Sequence, residues 1–149
     1  MRVVRYFLVL LAAATLSASP QLERRGDGLW YDKTNNKPFT GKTIANYLTG
    51  KKKYEVSYLD GRQHGRTIHW YRNGKRQSQF QYANGQLHGM GAYWYEDGQL
   101  QYQATYQQGI LRGRADDWWP NGKPGSEEHY LAGRKHGLWK FWWPDGKRA

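Results

Sequence analysis

Apolar and polar side chains alternate along two well-separated stretches of the chain. Tyr54, Val56 and Tyr58 stand between Lys53, Glu55 and Ser57, and Tyr102, Ala104 and Tyr106 stand between Gln101, Gln103 and Thr105. A period of two sends successive side chains to opposite sides of an extended chain, so both stretches predict strands with one apolar face. No segment of residues 39–149 combines the length and spacing of an amphipathic helix, and glycines interrupt the chain too often for one to form.

The interruptions are periodic. Gly41, Gly65, Gly89, Gly113 and Gly137 form one column at a spacing of 24, Gly50, Gly74, Gly98, Gly122 and Gly146 a second, and Gly61, Gly85, Gly109 and Gly133 a third. Together the columns hold 14 of the 18 glycines, which makes the unit the main organising fact of the sequence. Aromatic residues keep the same period, with Trp70, Trp94, Trp118 and Trp142 in one column and Tyr58, Tyr82, Tyr106 and Tyr130 in another. Each unit therefore holds two aromatic-bearing strands. Asn73-Gly74, Asp97-Gly98, Asn121-Gly122 and Asp145-Gly146 are dipeptides suited to two-residue hairpin turns. Asp60-Gly61, Asn84-Gly85, Gln108-Gly109 and Ala132-Gly133 are expected to open longer return loops. The predicted fold is all-β: a single-layer antiparallel meander of 24-residue β-hairpin units over residues 39–149, preceded by a signal peptide helix at 1–19 and a cap or linker at 20–38.

The pattern W-Y/W-x-N/D-G-K/Q, a few residues, then Y-x-x-G-x-x-H-G resembles the variant form of the membrane occupation and recognition nexus (MORN) repeat, from about Gly41 to Lys147. The same arrangement resembles the bacterial YwqK-like proteins, a family labelled as antitoxins. The resemblance implies an elongated, curled single-layer sheet and a role in holding another molecule. The better-known MORN unit centres on Y-x-G, and here Asn84, Gln108 and Ala132 stand where that glycine would be.

Neighbouring residues of a strand face opposite ways. Trp70, Trp94, Trp118 and Trp142 are therefore expected on one face as a structural aromatic column, packed with Phe80, Tyr82, Tyr102, Tyr106 and Tyr130. Tyr71, Tyr95, Trp119 and Trp143, together with Tyr93, are expected to form the binding surface, since large aromatics left at a surface are common interface anchors.

Charge adds a class of partner. Lys and Arg number 23 against 12 Asp and Glu, a net charge of +11. The N-terminus reads as an export signal, with Arg2 and Arg5 before an uncharged stretch from Tyr6 to Leu16 and small residues after it. Removing residues 1–19 takes away those two arginines and no acid, so 21 bases face 12 acids and the net charge is +9. The expectation is a periplasmic or secreted protein that binds an acidic protein partner, or else an anionic membrane surface or cell-wall polymer; export disfavours nucleic acid. There is no cysteine.

Enzyme signals are missing. No nucleophile motif, phosphate loop or dinucleotide fingerprint is present, and no cofactor is expected. His64, His88 and His136 recur once per unit, but equivalent residues two strands apart lie roughly 10 Å from each other, too far to share a metal. The acids Asp116, Asp117, Glu127 and Glu128 cluster in one unit only, where a cross-strand pair of Glu128 with Lys140 is expected.

Overall fold

The computed structural model describes residues 19–149, so the expected signal peptide helix lies outside the described residues. Three short strands, β1 (Leu22–Arg24), β2 (Trp30–Asp32) and β3 (Lys37–Pro38), form a small antiparallel sheet. The rest is one antiparallel meander built from β4 (Gly41–Asn46), β5 (Lys52–Leu59), β6 (Arg62–Trp70), β7 (Arg76–Ala83), β8 (Gln86–Leu87), β9 (Gly89–Trp94), β10 (Leu100–Gln107), β11 (Ile110–Trp118), β12 (Pro124–Leu131), β13 (Arg134–Lys135) and β14 (Lys140–Phe141). β8 and β9 both pair with β7, and β13 and β14 both pair with β12, so each couple is one interrupted strand. Every strand lies beside its neighbour in sequence, and the sheet does not close. The described residues contain no helix.

The two kinds of turn exchange the roles expected of them. Leu59 pairs with Arg62 directly across Asp60-Gly61, and both turn residues have positive φ, 48° and 76°. Asn84-Gly85, Gln108-Gly109 and Ala132-Gly133 repeat this, so the tight two-residue turns are the ones expected to be long loops. At Asn73-Gly74 only the glycine has positive φ; the Gly74 amide donates to the Tyr71 carbonyl and the Tyr71 amide to the Lys75 carbonyl. That is a three-residue loop, a tight turn closed by a left-handed glycine. An asparagine before glycine fits either geometry, and the pairing around it decides.

The sheet has two dissimilar faces. One register line runs through Thr43, Val56, Thr67 and Phe80 and continues through Gly91, Ala104, Ala115 and Glu128. Ala104 is 2 % exposed and Ala115 4 %. Beside this line each tyrosine of the second aromatic column opposes a glycine: Gly41 with Tyr58, Gly65 with Tyr82, Gly89 with Tyr106 and Gly113 with Tyr130. The glycines answer a backbone requirement: φ is positive at Gly65, Gly89 and Gly113 (83°, 84° and 80°), and a Cβ at Gly65 or Gly89 would meet Ser57 or Gln81 rather than the tyrosine ring.

The tryptophan column lies on the other face, which corrects the expectation that it packs with Phe80 and the tyrosines. Thr67 opposes Phe80, and Trp70 stands three residues further along β6, an odd step that turns it to the opposite side. The tryptophans accompany the line Ile44, Glu55, Ile68, Gln79, Ala92, Gln103, Asp116, Glu127 and Lys140.

The N-terminal sheet caps one end. The Trp30 amide donates to the Gly61 carbonyl and the Gly61 amide to the Phe39 carbonyl. The rings of Trp30 and Phe39 stand edge-on to Tyr58 at 6.2 Å and 5.7 Å. These contacts cover the tyrosine face of the first unit with the chain's own aromatic groups.

Candidate functional site

The residues expected to bind a partner mostly hold one unit to the next. Strand β6 ends at Trp70, so Tyr71 begins the turn and its ring runs along the row of turns rather than out from a face. Its hydroxyl donates to the Trp94 carbonyl at 2.7 Å, as Tyr47 donates to Trp70 and Tyr95 to Trp118 at the same distance. Trp119 continues the series through Nε1, which donates to the Trp142 carbonyl at 2.8 Å. Tyr71, Tyr95 and Trp119 are half-buried and their polar tips are engaged. Trp143, at the end of the row, is 60 % exposed. A sequence signal for this role exists: positions 47, 71, 95, 119 and 143 always carry an aromatic with a hydrogen-bond donor, never phenylalanine.

Several basic side chains at the turns are also committed. Lys51 donates to the Asn73 carbonyl at 2.9 Å and Lys123 to the Asp145 carbonyl at 2.6 Å, and Lys75 bonds the Asp97 carbonyl. Asn73 and Asn121 add bonds of 2.7 Å to the Glu96 and Pro144 carbonyls of the following turn. On the opposite edge the Gly85, Gly109 and Gly133 amides donate to the carbonyls of Gln63, Leu87 and Leu111 in the preceding unit. Both rows of turns are thus laced from unit to unit, which is how a repeat array gains stability from neighbour contacts.

The tyrosine face beyond the first unit is a connected aromatic surface. Phe80 lies edge-on to Tyr93 at 5.0 Å and to Tyr106 at 6.1 Å, and Tyr93 lies 6.3 Å from Tyr102. Tyr93, alone among the expected binding residues, sits in this surface, 45 % exposed. Burial pushes the Tyr82 and Tyr102 hydroxyls above their ordinary range. Tyr130 is pushed up to about 12, first by its hydrogen bond to Glu128 and then by burial. Glu128 is held below the ordinary carboxylate range: burial opposes ionisation, but bonds from Tyr130 and from Lys135 at 3.0 Å outweigh it.

The charge cluster belongs to the tryptophan face. Asp116, only 5 % exposed, opposes Glu127, and Arg114 bridges them at 2.6 Å and 3.1 Å. Lys140 pairs with Glu127 at 2.8 Å, not with Glu128 as expected, because Glu127 is the residue opposite Lys140 and Glu128 points to the other face. Asp116 and Glu127 are thus paired with cations, and Asp117 accepts from the Ser126 hydroxyl. Among the described residues no group of three or more His, Cys, Asp and Glu could hold a metal ion, and His64 lies in a turn contact 3.5 Å from the Asn84 amide.

Residues 63–84, 87–108 and 135–149 match the MORN repeat variant. These segments of the chain are MORN-variant repeats. The matched segments leave out the stretch where Asp116, Asp117 and Glu127 replace the usual side chains, yet β11 and β12 there continue the MORN hairpin without a break. MORN repeats are typically binding or scaffold modules and generally not enzymes. No curated protein matches the chain. Among solved structures it is similar to a S. aureus TarM mutant in complex with fondaparinux, alpha-GlcNAc-glycerol and UDP, at 12% identity and a TM-score of 0.38, over 78% of this chain and 21% of that one. A second structure of TarM aligns at 14% identity and a TM-score of 0.35, over 79% of this chain and 21% of that one. The chain spans about a fifth of these proteins, and a likeness so slight carries no functional argument.

Proposed function

We propose that the chain is an exported, non-enzymatic binding module that holds an acidic protein partner on its tyrosine face, in the manner of an antitoxin or immunity protein that masks its target. One observation carries this reading. The tyrosine face of the first unit is covered by Trp30 and Phe39, whereas in the later units Tyr93, 45 % exposed above the buried Phe80, and its neighbour Tyr102 have no such cap among the described residues. A surface of large aromatics supplies interface anchors at small entropic cost. Basic side chains at the turns, such as Arg72 and Arg134, add electrostatic steering toward an acidic surface.

The test is capture from an envelope extract by the tagged protein and by its Tyr93→Ala variant. A stoichiometric partner lost with Tyr93→Ala and weakened by salt is expected. A partner retained by the variant, or no stoichiometric partner at all, sinks the reading.

A further inference from the structure

The tryptophan face holds a cavity of about 320 Å³ beside Trp94, floored by the small side chain of Ala92 and walled by Gln79, Gln81, Gln103 and Arg76. Ala92 is well buried, between the Ile68 and Asp116 positions of the same register line. A volume of this size falls within the range of small-ligand sites, here as an open depression on a sheet.

Its chemistry is specific. The lining carries an indole, three primary amides, one guanidinium that lies 5.9 Å over the indole ring, the apolar side chains of Met90 and Leu100, and no carboxylate. The amides retain hydrogen-bonding capacity. Gln79 accepts from Arg76 at 3.3 Å through Oε1, leaving its NH₂ group; Gln103 donates to Asp116 at 3.4 Å through Nε2, leaving its carbonyl oxygen; Gln81 makes no side-chain hydrogen bond among the described residues. Each amide can both donate and accept, so three of them around an aromatic platform suit a ring of hydroxyls above a flat apolar surface. A pyranose ring has that form, with C–H groups on one face and hydroxyls at its rim.

A related depression of about 180 Å³ lies on the same face in the next unit, between Trp118 and Trp142 and beside Arg114, Asp116 and Glu127. Equivalent positions in successive units are roughly 10 Å apart. That spacing is comparable with the repeat of an extended β-linked disaccharide.

We propose that the tryptophan face is an oligosaccharide-binding track whose principal subsite is formed by Trp94, Gln79, Gln81 and Gln103, with Arg76 favouring an acidic sugar where one is present. This site lies on the face opposite the proposed protein-binding surface and stands independently of it.

The test is a titration of the ¹⁵N-labelled protein with chitotetraose, a neutral probe, and tetragalacturonate, an acidic one. The Trp94 indole resonance is assigned by its loss in Trp94→Phe. It is expected to shift saturably with at least one probe, with affinity reduced about tenfold in Gln103→Ala, equivalent to about 1.4 kcal/mol, and unchanged in Tyr93→Ala. Saturation by tetragalacturonate that fails in Arg76→Gln assigns the acidic preference. The proposal is overturned if neither probe moves the Trp94 resonance at millimolar concentration, or if Gln103→Ala binds as tightly as the parent. Because Gln103 and Tyr93 lie on different faces, loss of sugar binding and loss of protein capture are separable outcomes.

Discussion

Replacing Tyr95 by phenylalanine removes one oxygen and keeps the ring. That oxygen donates to the Trp118 carbonyl at 2.7 Å and ties the third row-edge turn to the fourth. A hydrogen bond of this kind contributes about 0.5–1.5 kcal/mol net, and a half-buried carbonyl left without its donor adds to the loss, so about 1–2 kcal/mol is expected. The position matters as much as the bond. At the preceding junction Tyr71 is assisted by Asn73 and Lys75, which bond the Glu96 and Asp97 carbonyls. At the Tyr95 junction the corresponding residues are Asp97, which has no amide donor, and Gln99, whose amide turns back to Asp97 at 2.9 Å. Tyr95→Phe should therefore cost more than Tyr71→Phe. In a repeat array, weakening one interface also separates the parts on either side of it. Urea denaturation should show a lower midpoint for Tyr95→Phe and a broadened transition, with amide exchange faster in β11 and β12 than in β5 and β6. A stability within about 0.3 kcal/mol of the parent would refute the structural role of this aromatic row, since that is the additivity error of distant sites. It would also return the row to the free recognition surface that its sequence pattern suggested.

Other expectations follow from single positions. Ala132 occupies a left-handed turn position at φ 49°, where the equivalent residue in another unit is Asn84; Ala132→Asn should raise stability by about 0.5–1 kcal/mol, read as a higher midpoint in urea, and Asn84→Ala should lower it by a similar amount. The Thr67 hydroxyl is buried with no hydrogen-bond partner, so Thr67→Val should stabilise by about 1 kcal/mol in the same assay, and a destabilised variant would refute this account. Tyr102 and Tyr130 titrate above the ordinary tyrosine value in the folded chain. The unfolded chain ionises them near about 10, so their contribution is intact below that pH and is lost as pH rises toward the folded values. Ultraviolet tyrosinate titration should show a late-ionising class, and Glu128→Gln should move Tyr130 back toward the ordinary range. At the acid end Glu55, held low by bonds from Lys42 and Lys52, contributes stability above about pH 4.3, the free glutamate value, and this is lost as pH falls through its folded value.

Much of the molecule is written locally. The 24-residue period, the strands, their antiparallel order and the MORN character follow from glycine columns, turn dipeptides and alternation, because each of those signals acts within a few residues of where it stands. The side of the sheet on which a residue ends is a count that runs through whole strands and their bulges. Register shifts occur between His69 and Trp70 and between Val56 and Tyr58, and one residue more or less inverts a face. That is why the tryptophan column was expected beside Phe80 and lies opposite it, and why Glu128 was expected to meet Lys140 where Glu127 does. The fate of Tyr71, Tyr95 and Trp119 was decided further still from the local pattern. Their hydroxyl and indole donors find carbonyls 23 residues away, and only the stacking of one unit on the next brings donor and acceptor together. Residue type along the chain dictates a two-faced sheet of hairpins; register across strands dictates which aromatics join the units to each other and which remain free.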